Sequence, residues 1–336
     1  MNRSLLTVLA CPDCRGGLSC SAAEGGGNGD VVTGTLTCDG CGSCFPIAEG
    51  IPRFVPAENY ATSFGYQWKL FRMEQLDSVN RTRLSERRFY SETGWTSGWM
   101  QGRWLLEAGC GAGRFLEIAA RTGAQVVGVD ISQAVDAARA TLGLANVHLV
   151  QASIYQPPFR PGAFDGCYCI GVIQHTPDPL RALESLPPLV RPGGRLALTI
   201  YERRRWTMLY SKYWLRPLTR RMNKRLVMGL IHGSMPVLFP LTEVLFRLPY
   251  VGRIFQFMIP VANYVHNREL TLRQRYRWAL LDTFDMLTPT YDQPLTQAEA
   301  EAALQAAGVD SLQRLPNPGL NLVGVRAAAT AAGTER

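Results

Sequence analysis

The chain has 336 residues, 46% of them apolar and 18% charged, with a formal net charge of +8. That apolar content leaves room for a large core, and beyond the glycine-rich stretch Glu24 to Asp30 there is no low-complexity tract, which excludes a repetitive or tail-like chain. The length suggests two units, or one large and one small, and the charge suits an anionic partner such as RNA, a membrane surface or an acidic substrate without bearing on fold.

In chain order, the opening MNRSLLTVLAC imitates a lipoprotein leader, but its apolar run from Leu5 to Ala10 is shorter than an h-region of about 7–15 residues. A short helix leading into a metal knuckle is expected instead. Six of the nine cysteines precede residue 45. Two pairs stand out, Cys11-Pro-Asp-Cys14 and Cys38-Asp-Gly-Cys41, separated by 23 residues. A Cys-x-x-Cys knuckle turns two thiolates towards one metal, and two knuckles complete the tetrahedral shell of a closed structural zinc site. The separator is longer than is usual between such knuckles, and its glycine-rich tip reads as a hairpin loop. Disulfides are the rival reading, with no credible leader to support an oxidising compartment. Cys20 and Cys44 fall outside the paired spacing. Through LACPDC, CDGC and FPIAEGIPRFV (Phe45 to Val55), this segment resembles the small zinc-ribbon activator subunits of tRNA and translation-factor methyltransferases. The resemblance implies a structural zinc on Cys11, Cys14, Cys38 and Cys41, and a ribbon over 1–56 that supports a methyltransferase in the same chain.

Next, FGYQWKLF (Phe64 to Phe71) reads as a helix that either caps a cofactor pocket through Gln67 and Trp68 or presents an aromatic core face. RWLLEA (103–108) reads as a buried strand, followed by Gly109-Cys110-Gly111-Ala112-Gly113 and an apolar helix. A backbone without Cβ can turn that tightly and admit a ligand. A second strand, Gln125 to Val129, ends at Asp130, an acid suited to both hydroxyls of a ribose. A nicotinamide-binding loop would be spaced G-x-G-x-x-G; here the third glycine comes one residue early and Arg114 takes its place.

LLEAGCGAGRF with VVGVDIS, then FDGCYCIGVIQHTPDP, then VRPGGRLALTIY, resemble successive motifs of class I S-adenosylmethionine-dependent methyltransferases, over about Phe64 to Tyr201. The resemblance implies an α/β fold: a Rossmann-like, doubly wound seven-stranded sheet with an antiparallel last strand, over 57–201 and 294–330. It implies S-adenosylmethionine as cofactor, with Glu107, Gly109, Gly111 and Gly113 at its methionine end, Asp130 on the ribose and Ile131 against the adenine. Where the family usually places an acid for the adenine amino group this chain has Ser153, a weaker acceptor.

Methyl transfer needs positioning, and removal of a proton if the acceptor is a hydroxyl. Ligands bind at the carboxyl ends of such strands, where Gln174, His175 and Asp178 follow the fourth strand. His175 is the general-base candidate because its ordinary pKa is near neutral; alternatively it only shapes the loop. About ninety residues then separate Tyr201 from a helix at Thr296 to Ala307 and a hairpin, Ser311–Leu315 with Leu320–Arg326. That is far more than an ordinary connection, and 202–293 reads as a helical cap over the acceptor site. It opens with Arg203–Arg205, Lys212, Arg216, Arg220, Arg221, Lys224 and Arg225, interleaved with Trp206, Tyr210, Tyr213, Trp214, Leu218 and Met222. Such a segment either lies on anionic membranes or packs on the domain with a solvated basic face. Leu226 to Thr242 lacks charge but holds two glycines and two prolines, and is not read as a membrane span. Asp282, Asp285, Tyr291 and Asp292 are expected near the pocket mouth.

The expected activity is methyl transfer to a small-molecule, sugar or lipid-linked acceptor by a cytoplasmic protein, with peripheral contact at the inner membrane face through the basic cap. RNA base methylation is the alternative, opposed by the apolar cap, and a non-catalytic membrane-associated scaffold is the reading from another class.

Overall fold

The computed structural model describes residues 1–56 and 58–328; Ala57 and residues 329–330 of the expected domain limits lie outside the described residues. A 3-10 turn, Arg3–Thr7, leads into a four-stranded antiparallel meander: β1 (Leu18–Gly25), β2 (Val31–Cys38), β3 (Cys44–Ala48) and β4 (Ile51–Pro52). The glycine-rich stretch is the β1–β2 hairpin connection, as its composition predicts. Helices α1 (Thr62–Phe71), α2 (Asp77–Asn80), α3 (Leu84–Thr93) and α4 (Ser97–Met100) follow.

The main sheet alternates strand and helix: β5 (Trp104–Ala108), α5 (Arg114–Ala120), β6 (Gln125–Asp130), α6 (Ala134–Thr141), β7 (Val147–Gln151), β8 (Phe164–Ile170), α7 (Pro179–Ser185) and β9 (Val190–Ile200). The cap contributes α8 (Ser211–Thr219), α9 (Lys224–Leu245), α10 (Gly252–Met258) and α11 (Leu272–Leu287). Helix α12 (Gln297–Ala306) and the hairpin β10 (Val309–Arg314) and β11 (Leu320–Arg326) close the chain. The strand order is β10-β11-β9-β8-β5-β6-β7, with β5 to β9 mutually parallel and β11 antiparallel to β9 and β10. The order reverses between β5 and β8, which opens a crevice at their carboxyl ends, where ligands bind in such sheets.

Ribbon and sheet share one core. Leu5, Leu9, Val31, Leu36 and Ile47 pack in the same cluster as Val127, Val150, Phe159, Phe164 and Leu183. Backbone pairs tie the two together, Ala10 N–H to Pro158 O at 2.9 Å and Phe54 N–H to Gln151 O at 2.8 Å. The cap has its own core, in which Val227, Ile231, Met235 and Phe239 of α9 meet Leu280, Leu281 and Phe284 of α11.

Two features of the cap add to what its sequence suggests. The uncharged stretch Leu226 to Thr242 is not broken by its prolines: α9 runs through Pro236 and Pro240 and is, by length and composition, long and apolar enough to cross a membrane. Each internal proline costs about 3 kcal/mol in an isolated helix, and the α9–α11 packing offsets that cost. The basic face of α8 is not wholly solvated either. Arg216 is buried and donates to the Met286 and Pro289 carbonyls at 3.2 and 2.8 Å, while Trp214 and Leu218 point outward.

Candidate active site

Four sulfurs converge at the first site. The Sγ atoms of Cys11, Cys14, Cys38 and Cys41 all lie within 4.8 Å of one another, with Cys11–Cys41 at 3.7 Å and Cys14–Cys38 at 3.3 Å. Tetrahedral zinc with bonds of about 2.3 Å requires sulfurs about 3.8 Å apart, so the cluster fits that ion. The amides of Gly16 and Gly40 donate to the Cys14 and Cys38 sulfurs at 3.4 Å each, the contacts a thiolate wants. Cys20 and Cys44 stand outside the cluster, and no cysteine pair is bonded as a disulfide.

The second site is a cavity of about 930 Å³ at the β5/β8 crevice, roofed by the cap. This is at the top of the range of about 300–1,000 Å³ for small-molecule sites, large enough for a cofactor and an acceptor together. On the sheet side the loop after β5 forms its floor. Gly109 has φ +79°, and a Cβ there would sit 2.4 Å from Val172, so only glycine is accommodated. A Cβ on Gly111 (φ +52°) would stand 3.0 Å from the Trp68 indole nitrogen, so the indole of α1 lies directly against the glycine backbone at the cavity wall. Gly113 does another job: its missing Cβ would meet Leu142 at 2.3 Å, so it lets α5 pack closely and does not line the cavity.

Asp130, at the end of β6, ties this loop down. Its Oδ2 accepts from the Gly111 amide at 3.0 Å, and its Oδ1 accepts from the Ser132 amide and hydroxyl at 2.8 and 2.7 Å. Burial pushes its carboxyl above the usual range, against the pull of those donors. Glu107 is buried beneath the loop with its carboxyl raised well above the ordinary value by desolvation; the Tyr168 hydroxyl donates to it at 3.2 Å. Ile131 lines the wall beside Asp130. Ser153 does not. The wall there is Ala152 and Ile154, and the Ser153 hydroxyl accepts from the Tyr155 amide at 3.2 Å instead. From α1, Gln67 and Trp68 both face the cavity, and Gln67 is buried with its Oε1 unpartnered.

On the acceptor side, His175 sits in a 3-10 turn, Ile173–His175, between the rings of Phe64 and Tyr201. Its Nδ1 lies 3.0 Å from the Tyr291 carbonyl. A carbonyl can only accept, so Nδ1 carries a proton, and in the neutral ring the lone pair is on Nε2. Asp178, by contrast, caps α7 by accepting from the Arg181 amide, and Gln174 is fully buried. The cap supplies Asp282, Asp285 and Asp292. Burial raises Asp282 to about 6, with the Tyr264 hydroxyl donating to it, and burial likewise raises Asp285. Asp292 pairs with Lys212 at 2.8 Å, and the Lys212 ammonium lies over the Tyr201 and Tyr213 rings.

Sequence reasoning missed Arg88, Arg114 as a cavity residue, and Tyr264. Arg88 donates to Glu92 at 2.8 Å; Arg114 donates to Ser85 Oγ and Gln75 Oε1 at 2.8 and 3.0 Å. Arg114 and Tyr264 carry no local pattern, since their partners come from other elements, whereas Arg88 and Glu92 are an i,i+4 pair within α3.

Comparison with known proteins agrees with this geometry. Residues 106–198 match the family described as methyltransferase domain, and residues 2–50 match the family described as Trm112p-like protein. The chain is 32% identical over 117 residues to the ubiquinone biosynthesis O-methyltransferase of Aeromonas salmonicida, covering 32% of this chain and 47% of that protein. It is 33% identical over 115 residues to the Xanthomonas campestris protein of the same name, covering 31% and 45%. It thus spans about half the length of the curated relatives it matches. Among solved structures, the Haloferax volcanii Trm112 methyltransferase activator complex is similar at 14% identity and a TM-score of 0.45, covering 82% of this chain and 100% of that one. That likeness is too distant to carry an argument. Residues 106–198 are therefore a methyltransferase domain and residues 2–50 a Trm112p-like segment, joined in one chain.

Proposed function

We propose that this chain is an S-adenosylmethionine-dependent methyltransferase whose acceptor is a small, largely apolar molecule bearing a hydroxyl. The observation that carries the reading is the single cavity joining the Gly109–Gly111 loop and Asp130 on one wall to His175 and the cap aromatics on the other. The Gly109–Gly111 backbone at the cavity wall, the unpartnered Gln67 Oε1 and the Asp130 carboxylate fit an adenosyl amino acid. Once bound there, that cofactor supplies a methyl group activated by its sulfonium.

The chain's own residues do the rest. Asp130 and the glycine loop hold the ribose end, the cap excludes water, and His175 Nε2 takes the proton of an acceptor hydroxyl while the Tyr291 carbonyl keeps the ring in the required tautomer. The names of the ubiquinone biosynthesis relatives support a hydroxyl as the acceptor group. Trp206, Tyr210 and Phe257 on the cap wall favour an apolar acceptor over a nucleic-acid strand, which needs accessible cations in an open groove.

Transfer of tritiated methyl into fractionated cell extract tests this. Label entering the organic-soluble fraction is expected. Label entering RNA, or cofactor binding with no turnover on any fraction, overturns it.

A further inference from the structure

The cap is built inside out. On α8 the buried residue is Arg216, and the exposed ones include Trp214, at 71% of its full accessibility, and Leu218. On α9 one face packs on α11, while Leu226, Leu230, Val237, Leu241 and Val244, spaced by four, seven, four and three residues, fall on the other and are all exposed. With 22 residues the helix is about 33 Å long, and from Leu226 to Thr242 it carries no Asp, Glu, Lys or Arg. Beyond its end Tyr250 is 96% exposed. A continuous stripe of exposed apolar residues along such a helix marks a surface that something covers.

Charge says what covers it. Residues 202–293 hold fifteen Lys and Arg against six Asp and Glu, whereas the rest of the chain holds twenty against twenty-one. The whole positive surplus therefore belongs to the cap. Its carboxylates are committed: Glu202, Glu243, Glu269 and Asp292 are in ion pairs, and Asp282 and Asp285 face the cavity. Arg220, Arg221 and Arg225, at the amino end of α9, are exposed and, among the described residues, pair with no carboxylate. An apolar stripe led by free cations and accompanied by exposed Trp and Tyr complements an anionic lipid surface, with side chains in the acyl region and cations among the phosphates. Another protein surface would need acids opposite those arginines.

We propose that the outer face of α8 and α9 docks the protein flat on an anionic bilayer. The helix lies in the plane and does not span, because crossing would strip Val227, Ile231, Met235 and Phe239 from their packing on α11. The cavity is bounded in part by exposed cap residues. Trp206 and Tyr210, which line it, are also exposed, and Tyr210 stacks on Phe257 of α10 at 4.2 Å between exposed Leu209 and Met258. An apolar acceptor can pass from the lipid to the cavity between these two segments. That route rests on the methyl-transfer reading; the docking itself does not.

Co-sedimentation of the full chain with vesicles tests the docking. Vesicles of phosphatidylglycerol mixed with phosphatidylcholine should bind it, and phosphatidylcholine alone should bind it far more weakly. Reversing Arg220, Arg221 and Arg225 to Glu should weaken binding to the anionic vesicles roughly a hundredfold, at about fivefold per cation, and remove the salt dependence. The pair Leu230→Glu and Val237→Glu should abolish binding while binding of S-adenosylhomocysteine, measured in solution, is unchanged; that second measurement separates failure of docking from failure of the cofactor site. Absence of binding to the anionic vesicles overturns the proposal. So does a dimer in sedimentation velocity that Val237→Glu dissociates, because a second copy then covers the face.

Discussion

Replacing Asp130 with alanine removes a carboxylate that accepts three hydrogen bonds from the protein, from Gly111 N–H, Ser132 N–H and Ser132 Oγ–H. Ser132 is 1% exposed, so its amide is orphaned, at about 1–3 kcal/mol. The Gly111 amide lies on the cavity wall, where water can replace the lost acceptor. Burial of the charge is itself unfavourable, as the raised carboxyl shows, and its removal returns part of that cost. The net loss of stability should therefore fall near 2 kcal/mol, a drop of about 3 °C in Tm for a chain of 336 residues. Cofactor affinity should suffer more. A charge-assisted contact is worth about 1.5–3 kcal/mol, or about 10- to 150-fold in Kd, and the freed glycine loop adds to it. Asparagine should be no rescue: with its oxygen kept on Ser132, its Nδ2 faces the Gly111 N–H, donor against donor. Calorimetric titration with S-adenosylhomocysteine measures both variants. Affinities within twofold of wild type for both would refute the assignment of this loop and acid to the cofactor.

Purified protein should contain one zinc per chain by elemental analysis, and Cys14→Ser should lower both zinc content and Tm; a metal-free protein of unchanged Tm would contradict the cluster's role. His175→Ala should reduce turnover by about 10²- to 10⁴-fold if Nε2 removes the acceptor proton, with cofactor Kd unchanged; full turnover would leave the ring only a packing role against Phe64 and Tyr201. For Asp282 the sign follows from its folded value of about 6 against an ordinary 3.8. Between these the folded state holds more protons than the unfolded, so stability falls as pH rises through this window. Asp282→Asn should make the decline between pH 4 and 6 shallower in denaturant titrations, and an unchanged slope would remove Asp282 from the account.

The parts of the site that could be read in the sequence are those whose chemistry is local. The glycine loop lies between a strand and a helix, and Asp130 ends the next strand, so chain order already places them together. The zinc cluster is legible for the same reason, because each knuckle is one turn. Ser153 and Gly113 show the limit of that reasoning. Adjacency put them at the cofactor, but the backbone at β7 turns the Ser153 hydroxyl to Tyr155, and Gly113 is set by helix packing against Leu142. The cap was legible as an insertion and illegible in orientation. A basic, aromatic helix conventionally buries its aromatics, and only the carbonyls of Met286 and Pro289, about seventy residues downstream, draw Arg216 inward and leave Trp214 outside. Arg114 had no signal at all, because its partners Ser85 and Gln75 come from α3 and from the chain between α1 and α2, whereas Arg88 forms an i,i+4 pair with Glu92 that does not reveal that it lines the cavity.

The ribbon meets the sheet through the shared apolar core and a polar seam that includes Ala10 to Pro158, Val8 to Arg160, Phe54 to Gln151, Arg15 to Pro157 and the Arg53–Asp136 ion pair at 2.6 Å. For two separate subunits even such a seam would leave occupancy to the cell's protein levels. Covalent linkage changes that, because a short tether holds its two ends at an effective concentration in the millimolar range. Docking becomes unimolecular and survives any dilution, and it fixes the stoichiometry at one ribbon per catalytic domain.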